Sequence, residues 1–341
     1  MPLTRITVAL TGHDSYDHIR IKRPLAWKPM KQALWDAGVA VDVRPMGDLT
    51  MQGLAATDCL VLHGVPHPST MNLLRKLPCR FAIFEDDLMT DVPVWNPNQI
   101  SEAQKACLAW CLENACAIVA TTQPLADELG YPEKTWVQGN LEDFERPPVG
   151  AADRMTRAIY VGGNSHAGDL ELLNDLRWSG KTVIWSSCLP SSKIAMYRTP
   201  IGAMAYRPND QAWGWVQPTG GYEQYSAWLR NIAPRFGIGL APLVDCRFNA
   251  SKSLLKPIEM AKCGWVPVVS DVPPYSGLPD EICVKVTPKG FLSSWTNAVE
   301  YEACANADKA ASAWEWGRAE WSYQEKWRQW VDTYAYVARK L

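Results

Sequence analysis

Short apolar runs alternate along this chain with longer segments whose apolar residues recur at helical spacing. In the first half the runs predict strands near residues 6–10, 39–43, 59–63, 81–85, 117–121 and 135–137. The alternation continues in the second half through strands at residues 158–161 and around Val183, Ile238, Val268 and Val284. Strands that alternate with helices form parallel sheets covered on both faces. The pattern therefore predicts an α/β fold with doubly wound parallel sheets.

One segment interrupts this alternation, and the chain is long for a single core. Residues 145–154, ERPPVGAADR, carry two prolines and several small residues, which is typical of a linker. A chain of 341 residues is expected to divide into two domains. We predict an N-terminal domain over residues 1–146, a second domain over 155–320 and a C-terminal helix over 321–341.

The C-terminal segment reads as one long amphipathic helical pattern. Its large apolar residues share a stripe: Trp327, Trp330, Val331, Tyr334 and Val337. A helix lying on a membrane surface is one interpretation of a chain with 17 tryptophans. Because acidic and basic residues interleave with the stripe, the pattern favours a helix packed on the protein.

Residues 237–264 combine a buried strand, a polar loop and a helix. The run GIGLAPL predicts a strand covered on both faces, and such strands place ligands at their carboxyl ends. A polar loop is predicted over residues 245–253, including Asn249, Ser251 and Lys252. A helix is expected from Leu255 to a capping residue at Gly264. The arrangement is typical of a site for a charged ligand.

The start of that helix is a predicted phosphate site. Free N–H groups in its first turn, with Lys252 and Lys256 beside them, favour phosphate oxygens. Glu259 lies three residues after Lys256 and is suited to accept hydrogen bonds from ribose hydroxyls. An ordinary surface pair of Lys256 and Glu259 is the alternative interpretation.

A second glycine-containing corner supports the first. Residues 157–173 read RAIYVGGNSHAGDLELL, which predicts a strand, a loop with Gly162 and Gly163, and a helix from about Ala167. The loop continues with Asn164, Ser165 and His166, and Asp169 follows in the helix. The segment lacks the spacing of a dinucleotide or ATP loop.

Two polar clusters in the first half are further candidates. After the first strand comes a loop with His13, Asp14 and Arg20, whose side chains are suited to an acceptor or to phosphates. Asp86 and Asp87 follow the apolar run FAIFE, so they lie at the carboxyl end of a strand. They are candidates for binding acceptor hydroxyls, for proton transfer, for a Mg or Mn site, or for capping the next turn.

Together these motifs resemble the retaining GT-B glycosyltransferases, the family of sucrose synthases and glycan-building group 1 transferases, with phage-type members. The resemblance rests on APL, FN, KS, LK, E and G at residues 241–264 followed by PVVSDVPPY, and on the GGNSH loop. It implies two Rossmann-like domains facing across a cleft, with the last helix crossing back to the first domain. Among residues 18–24, Arg20, Ile21 and Pro24 match a loop of some of these enzymes, where His18 replaces a tyrosine.

The resemblance also implies an activity and residue roles. The expected reaction moves a sugar, a hexose or a pentose, from a nucleoside diphosphate sugar to an acceptor hydroxyl, with retention and without metal or other cofactor. Glu259 falls on the glutamate that holds the ribose, whereas Ser251 stands where the family has a second glutamate. Lys252 and Lys256 face the diphosphate, Asp86, Asp87, Asp14 and His13 orient the acceptor, and residues 162–166, Asp169 and Asn249 contact the donor. A sugar-nucleotide epimerase or phosphorylase, or a non-catalytic nucleotide-sugar binder, are the alternatives.

Charge and composition bear on the acceptor and the compartment. The net charge is −2, yet residues 1–80 hold ten Lys and Arg against six Asp and Glu. A hydroxymethylated DNA base, as in phage DNA modification, or a glycan fits this local excess. Ten cysteines without CxxC spacing predict buried thiols. No apolar run is long enough to span a membrane and no signal peptide is evident, so a cytoplasmic location is expected, in the host cell if the protein is phage-encoded.

Overall fold

Two parallel sheets organise the chain. The computed structural model describes residues 3–10, 23–144, 154–162, 164–173, 176, 180–186, 203–205, 221–287 and 294–341. The first sheet has the order β2-β1-β3-β4-β5-β6, with strands β1 (Thr4–Leu10), β2 (Val39–Pro45), β3 (Cys59–His63), β4 (Arg80–Glu85), β5 (Ala117–Ala120) and β6 (Thr135–Val137). The second has the order β12-β11-β10-β7-β8-β9, with β7 (Arg157–Gly162), β8 (Lys181–Ser186), β9 (Ala203–Ala205), β10 (Ile238–Ala241), β11 (Val266–Ser270) and β12 (Val284–Val286).

The strand order creates one crevice in each sheet. All the predicted strands are confirmed, and β9 is a strand that the sequence pattern did not predict. In the first sheet the order reverses between β1 and β3, and in the second between β7 and β10. Because successive crossovers leave in opposite directions at such a point, a crevice opens at the carboxyl ends of the two strands. The second crevice lies between the two motifs that were predicted to bind phosphate.

Helices cover the sheets. Those longer than one turn span Lys28–Asp36, Glu102–Asn114, Gln123–Leu129, Gly221–Ile232, Leu255–Lys262, Lys309–Trp321 and Arg328–Arg339. Single α-helical turns span Arg23–Ala26, Met51–Leu54, Met71–Leu74, Ala167–Leu170, Arg247–Ala250, Ser294–Asn297 and Tyr323–Lys326, and a π-helical turn spans Ala298–Ala303.

The central strands of the first sheet are buried on both faces. One face packs against helices Glu102–Asn114 and Gln123–Leu129, with Leu108 and Leu125 in its core. The opposite face packs against helix Lys28–Asp36 through Met30 and against the last helix of the chain through Trp330. Burial of the strands on both sides explains why they read as continuous apolar runs in the sequence.

The last helix crosses back to the first sheet, as predicted. Trp330, Tyr334 and Val337 are fully buried there, and the Trp330 ring lies 6.4 Å from the ring of Phe84 on β4. The expected single helical pattern is nevertheless broken at Ser322. Ser322 forms a parallel bridge with Glu142, and its hydroxyl accepts a hydrogen bond from the Glu325 N–H at 3.2 Å, which starts a new helix.

Three further predictions concern the linker, the cysteines and the membrane-spanning segments. The predicted linker lies outside the described residues except for Arg154, so the domain limits stay a prediction. The cysteines in the described ranges are free thiols. Among the helices that the structure describes, none combines the length and the apolar character needed to cross a membrane.

Candidate functional site

A cleft between the two sheets brings together several of the predicted site residues, from both halves of the chain. It is lined by Asp86, Asp87, Asn140, Ser165, His166, Lys252, Ser253, Leu255, Lys256, Glu259 and Tyr275. Ser165 and His166 follow β7, residues 252–259 follow β10 and Tyr275 follows β11, so they surround the crevice where the strand order reverses. Residues that are distant in sequence therefore face a common space.

Lys256 lies in the first turn of helix Leu255–Lys262. Its Nζ donates a hydrogen bond to the carbonyl oxygen of Val161 on β7 and lies 5.5 Å from the centre of the Tyr160 ring. Burial lowers the pKa of Lys256, and the positive charge of Lys252 acts in the same direction. A negative ligand would compensate this cost because it neutralises a poorly solvated ammonium group.

Lys252 connects the two walls of the cleft. Its Nζ lies 3.4 Å from Oδ1 of Asp87 and 4.4 Å from the centre of the Phe248 ring. The Lys252 side chain is 11% exposed and that of Asp87 is 21% exposed, so the pair is largely shielded from solvent. Lys252 thus belongs to the second half of the chain but pairs with a carboxylate of the first sheet.

The segment before Lys252 is anchored in the first half of the chain. The prediction of an uninterrupted loop over residues 245–253 is wrong, because Arg247–Ala250 forms a helical turn. Phe248 from this turn is buried in the core of the first sheet, and Arg247 forms an ion pair with Glu128. The apolar contact offsets the cost of ordering a polar segment and fixes its position against the opposite wall.

Glu259 is held on the second turn of the same helix. The residue is 8% exposed, and its Oε2 accepts a hydrogen bond of 3.3 Å from the hydroxyl of Tyr225. Burial raises the pKa of Tyr225, and the Glu259 carboxylate raises it further, so the hydroxyl stays protonated and donates. Tyr225 had no signal in the sequence, because it lies on a distant helix without any motif.

The loop after β7 is fixed by a buried carboxylate. Oδ2 of Asp169 accepts a hydrogen bond from Nδ1 of His166 at 2.8 Å, and Oδ1 accepts from the Val244 N–H at 2.8 Å and from the Asn249 amide at 2.9 Å. Burial lowers the pKa of His166 to about 4, with Lys252 and Lys256 adding to the shift. His166 is therefore neutral at pH 7, and because Nδ1 carries the proton, Nε2 is the acceptor nitrogen.

On the first sheet, two adjacent carboxylates have different partners. Asp87 pairs with Lys252, whereas Oδ2 of Asp86 lies 2.7 Å from Nε2 of His63, the last residue of β3. The sequence analysis did not single out His63. Its signal was the same as for Asp86, a polar side chain at the end of an apolar run.

Comparison with known proteins adds to this geometry. No protein-family model and no curated protein matches the sequence. Sucrose-phosphate synthase from Thermosynechococcus elongatus superposes with a TM-score of 0.64 and 12% identity over 97% of this chain and 98% of that chain. HepE from Anabaena, in complex with UDP and glucose, gives a TM-score of 0.61 and 11% identity over 97% and 99%. The chain has the GT-B glycosyltransferase fold.

A longer protein with this fold, TarM, also superposes on the chain. TarM superposes with a TM-score of 0.54 and 8% identity over 81% of this chain, which spans 54% of TarM. At such identities the likeness concerns the fold alone.

The predicted site residues that are not among those lining the cleft occupy several different positions. Asp169 and Asn249 are buried, and their polar atoms bind the protein itself. Ser251 is also buried, and its hydroxyl donates to the carbonyl oxygen of Arg247 at 3.3 Å. Of the glycine loop, Gly162 ends β7 and Asn164 opens the turn Asn164–His166. Gly163, His13, Asp14 and Arg20 lie outside the described residues.

Carboxylate clusters had also suggested a metal site. Among the described residues, no group of three or more His, Cys, Asp and Glu side chains has the arrangement of a metal site. The prediction that the reaction needs no metal stays a prediction, to be tested with the activity.

Gly162 is required by close packing, and we expect its replacement by alanine to destabilise the protein. A Cβ atom at this position would overlap the hydroxyl of Tyr160, a side chain that is fully buried. The expected loss is about 1–3 kcal/mol of unfolding free energy, typical of an overpacked core. Urea denaturation measures it. Gly47→Ala is the control, because a Cβ atom there meets nothing within 4 Å; equal effects of the two changes would contradict the packing argument.

Proposed function

We propose that the protein is a glycosyltransferase that moves a sugar from a nucleoside diphosphate sugar to an acceptor hydroxyl, with retention and without a metal ion. The observation that carries the proposal is the convergence of Lys252, Lys256 and Glu259 at the start of helix Leu255–Lys262, in a cleft lined by carboxylates on its other side. Solved structures with this fold include HepE in complex with UDP and glucose, which supports a nucleotide sugar as the donor.

The donor side follows from the charges. Lys252 and Lys256 neutralise the diphosphate, together with the N–H groups of the first turn of the helix. Glu259, oriented by Tyr225, accepts hydrogen bonds from the ribose hydroxyls. Ser165 and His166 line the same cleft and contact the donor from the loop after β7. Asp169 and Asn249 support this loop from below through their buried hydrogen bonds.

The reaction requires stabilisation of the leaving group. The bond between the anomeric carbon and the diphosphate oxygen breaks, and its electron pair leaves with the diphosphate. The acceptor oxygen forms the new bond on the same face of the sugar, and its proton passes to the departing phosphate oxygen. Lys252 and Lys256 stabilise the charge that develops on the diphosphate, which lowers the barrier without a protein nucleophile.

Asp86 and Asp87 face the donor residues from the acceptor side of the cleft, where Asp86 orients the acceptor hydroxyl and Asp87 pairs with Lys252. A hydroxymethylated DNA base and a glycan are the two acceptor classes that we propose, and the basic excess in residues 1–80 suits the first of them. Ser251 brings no carboxylate to the position where sugar hydroxyls are bound in the resembling enzymes.

The proposal is tested with purified protein and a panel of nucleotide sugars, beginning with UDP-glucose and ADP-glucose. Each is incubated with hydroxymethylated DNA or with glycans, with and without EDTA, and product is detected by mass spectrometry. Transfer to one acceptor class establishes the reaction, and NMR of the linkage reports retention. Loss of transfer in EDTA contradicts the metal-free reaction.

The alternatives give different outcomes in the same experiment. Rearranged or released sugar without an acceptor product indicates an epimerase, a phosphorylase or a hydrolase. Binding of UDP without turnover in any mixture indicates a nucleotide-sugar binding protein, the interpretation that Ser251 favours. If the protein shows no binding of nucleotide sugars and no turnover, the assignment of a nucleotide-sugar donor is wrong.

We expect Glu259→Ala to weaken donor binding rather than catalysis. Loss of a hydrogen bond to a charged group, about 1.5–3 kcal/mol, corresponds to a Kd for UDP that is about 10- to 100-fold higher. The turnover number at saturating donor stays within about threefold, because the ribose does not change in the reaction. Titration calorimetry and steady-state kinetics measure both quantities. The exposed Glu302→Ala serves as control, and an unchanged Kd in Glu259→Ala would show that this carboxylate does not bind the nucleotide.

A further inference from the structure

His63 and Asp86 form a hydrogen-bonded pair on the first-sheet side of the cleft. His63 ends β3 and Asp86 directly follows β4, its parallel neighbour, in which Phe84 is the register partner of His63. Nε2 of His63 lies 2.7 Å from Oδ2 of Asp86. Because an ionised carboxylate can only accept, the ring nitrogen is the donor. The direction of the Asp86 carboxylate is therefore set by a side chain that is 4% exposed.

The backbone of Asp86 is held from the other side. Thr121 follows β5, is buried, and donates its hydroxyl to the carbonyl oxygen of Asp86 at 3.1 Å. Groups from β3 and β5 thus fix the side chain and the main chain of a residue between them. A carboxylate at the end of a strand would otherwise sample several rotamers, and this order is of use where a ligand has to be met in one geometry.

The contrast with Asp87 assigns different tasks to the two carboxylates. Asp87 pairs with Lys252 from the second half of the chain, whereas the carboxylate of Asp86 is held by the buried His63. Both aspartates line the cleft. Adjacent ionisable groups in different surroundings commonly have different roles. The pair lies at the carboxyl ends of β3 and β4, next to the crevice where the strand order of the first sheet reverses.

We propose that His63 is a positioning residue that orients Asp86, and that Asp86 accepts a hydrogen bond from the acceptor hydroxyl before transfer, which places the acceptor oxygen next to the anomeric carbon. As the new bond forms, the hydroxyl proton leaves Asp86 and passes to the departing phosphate oxygen. This inference rests on the proposed glycosyl transfer. It assigns acceptor alignment to a pair of residues from the first sheet, independently of the lysines that bind the donor. Only transfer, and not nucleotide binding, should depend on the pair.

The test compares His63→Ala, His63→Gln and Asp86→Asn in the full-length protein. His63→Ala is expected to lower kcat/KM for the acceptor by about 10- to 100-fold, as displaced reacting groups do. The Kd for UDP stays within about twofold. His63→Gln, whose side-chain amide can donate to Asp86, should recover at least part of the loss. In a protein that already carries Asp86→Asn, His63→Ala should have little further effect on kcat/KM, because the two changes remove the same interaction.

Controls separate this inference from a structural role and from the proposed function. His67→Ala removes an exposed histidine that bonds Ser69, and wild-type kinetics are expected. If His63→Ala is folded and its acceptor kinetics are those of the wild type, the inference is overturned. If His63→Ala does not fold, His63→Gln and Asp86→Asn decide: wild-type acceptor kinetics in Asp86→Asn, or a loss in His63→Gln as large as that in Asp86→Asn, overturns it. Failure of the wild type to bind UDP or to transfer sugar instead contradicts the proposed function.

Discussion

Replacement of Lys256 by methionine is expected to lower the turnover number by about 100- to 1,000-fold, the effect of removing one group that stabilises charge in a transition state. Methionine keeps most of the volume of the aliphatic chain, so the change removes the ammonium group rather than the packing against Tyr160. The reason for a large effect is burial. An ammonium group that is poorly solvated before the reaction interacts strongly with negative charge that develops beside it. Steady-state kinetics at saturating donor and acceptor measure the loss.

Two further measurements bear on this prediction. Burial lowers the pKa of Lys256. In the proposed reaction only the protonated amine would stabilise the diphosphate. The alkaline fall of kcat/KM in the wild type should therefore occur below the ordinary lysine pKa of about 10.4. Lys105→Met is the control, because this exposed lysine pairs with Glu102 on a surface helix. A turnover number in Lys256→Met within tenfold of the wild type would remove Lys256 from the catalytic site.

Much of the fold could be predicted because its determinants are local. The central strands β3, β4 and β5 of the first sheet contain apolar runs of a few residues. Gly38, Gly130 and Gly264 end helices with positive φ. The break at Ser322 also had a local signal, Ser322 three residues before Glu325, but it was hidden within a continuous helical pattern. The bridge from Ser322 to Glu142 joins distant parts of the chain, so no local pattern indicates it.

The candidate site also combines residues that a local motif indicates with partners that no local motif indicates. Lys252, Lys256 and Glu259 were predictable because one loop and one helix carry all three. Their partners were not, since Tyr225 is 34 residues from Glu259, and Asp87 is 165 residues from Lys252. The turn of residues 247–250 was misjudged for a related reason. Its polar composition indicated a ligand loop, whereas Phe248 fits a core that the other half of the chain supplies.

A buried ion pair connects helix Leu255–Lys262 to the place where the chain crosses between the sheets. Nζ of Lys262, the last residue of helix Leu255–Lys262, lies 2.7 Å from Oε2 of Glu142. The side chains are 8% and 0% exposed. Glu142 also accepts from the Tyr323 N–H and donates to the Trp321 carbonyl oxygen through its backbone. One residue therefore joins the helix that bears Lys256 and Glu259 to both crossing segments.

Lys262→Met is expected to destabilise the protein by about 3–5 kcal/mol, the usual cost of leaving a buried charge without its counter-charge. Urea denaturation measures this loss. The control is Lys326→Met, since Lys326 pairs with Glu320 in an exposed site and should contribute less than about 1 kcal/mol. Combining Lys262→Met with Glu142→Leu should recover much of the stability, because two apolar side chains can replace a buried pair with little loss. If the double variant is no more stable than Lys262→Met, the loss of stability arises from packing. The charges of Lys262 and Glu142 then do not contribute to holding helix Leu255–Lys262 against the crossing segments.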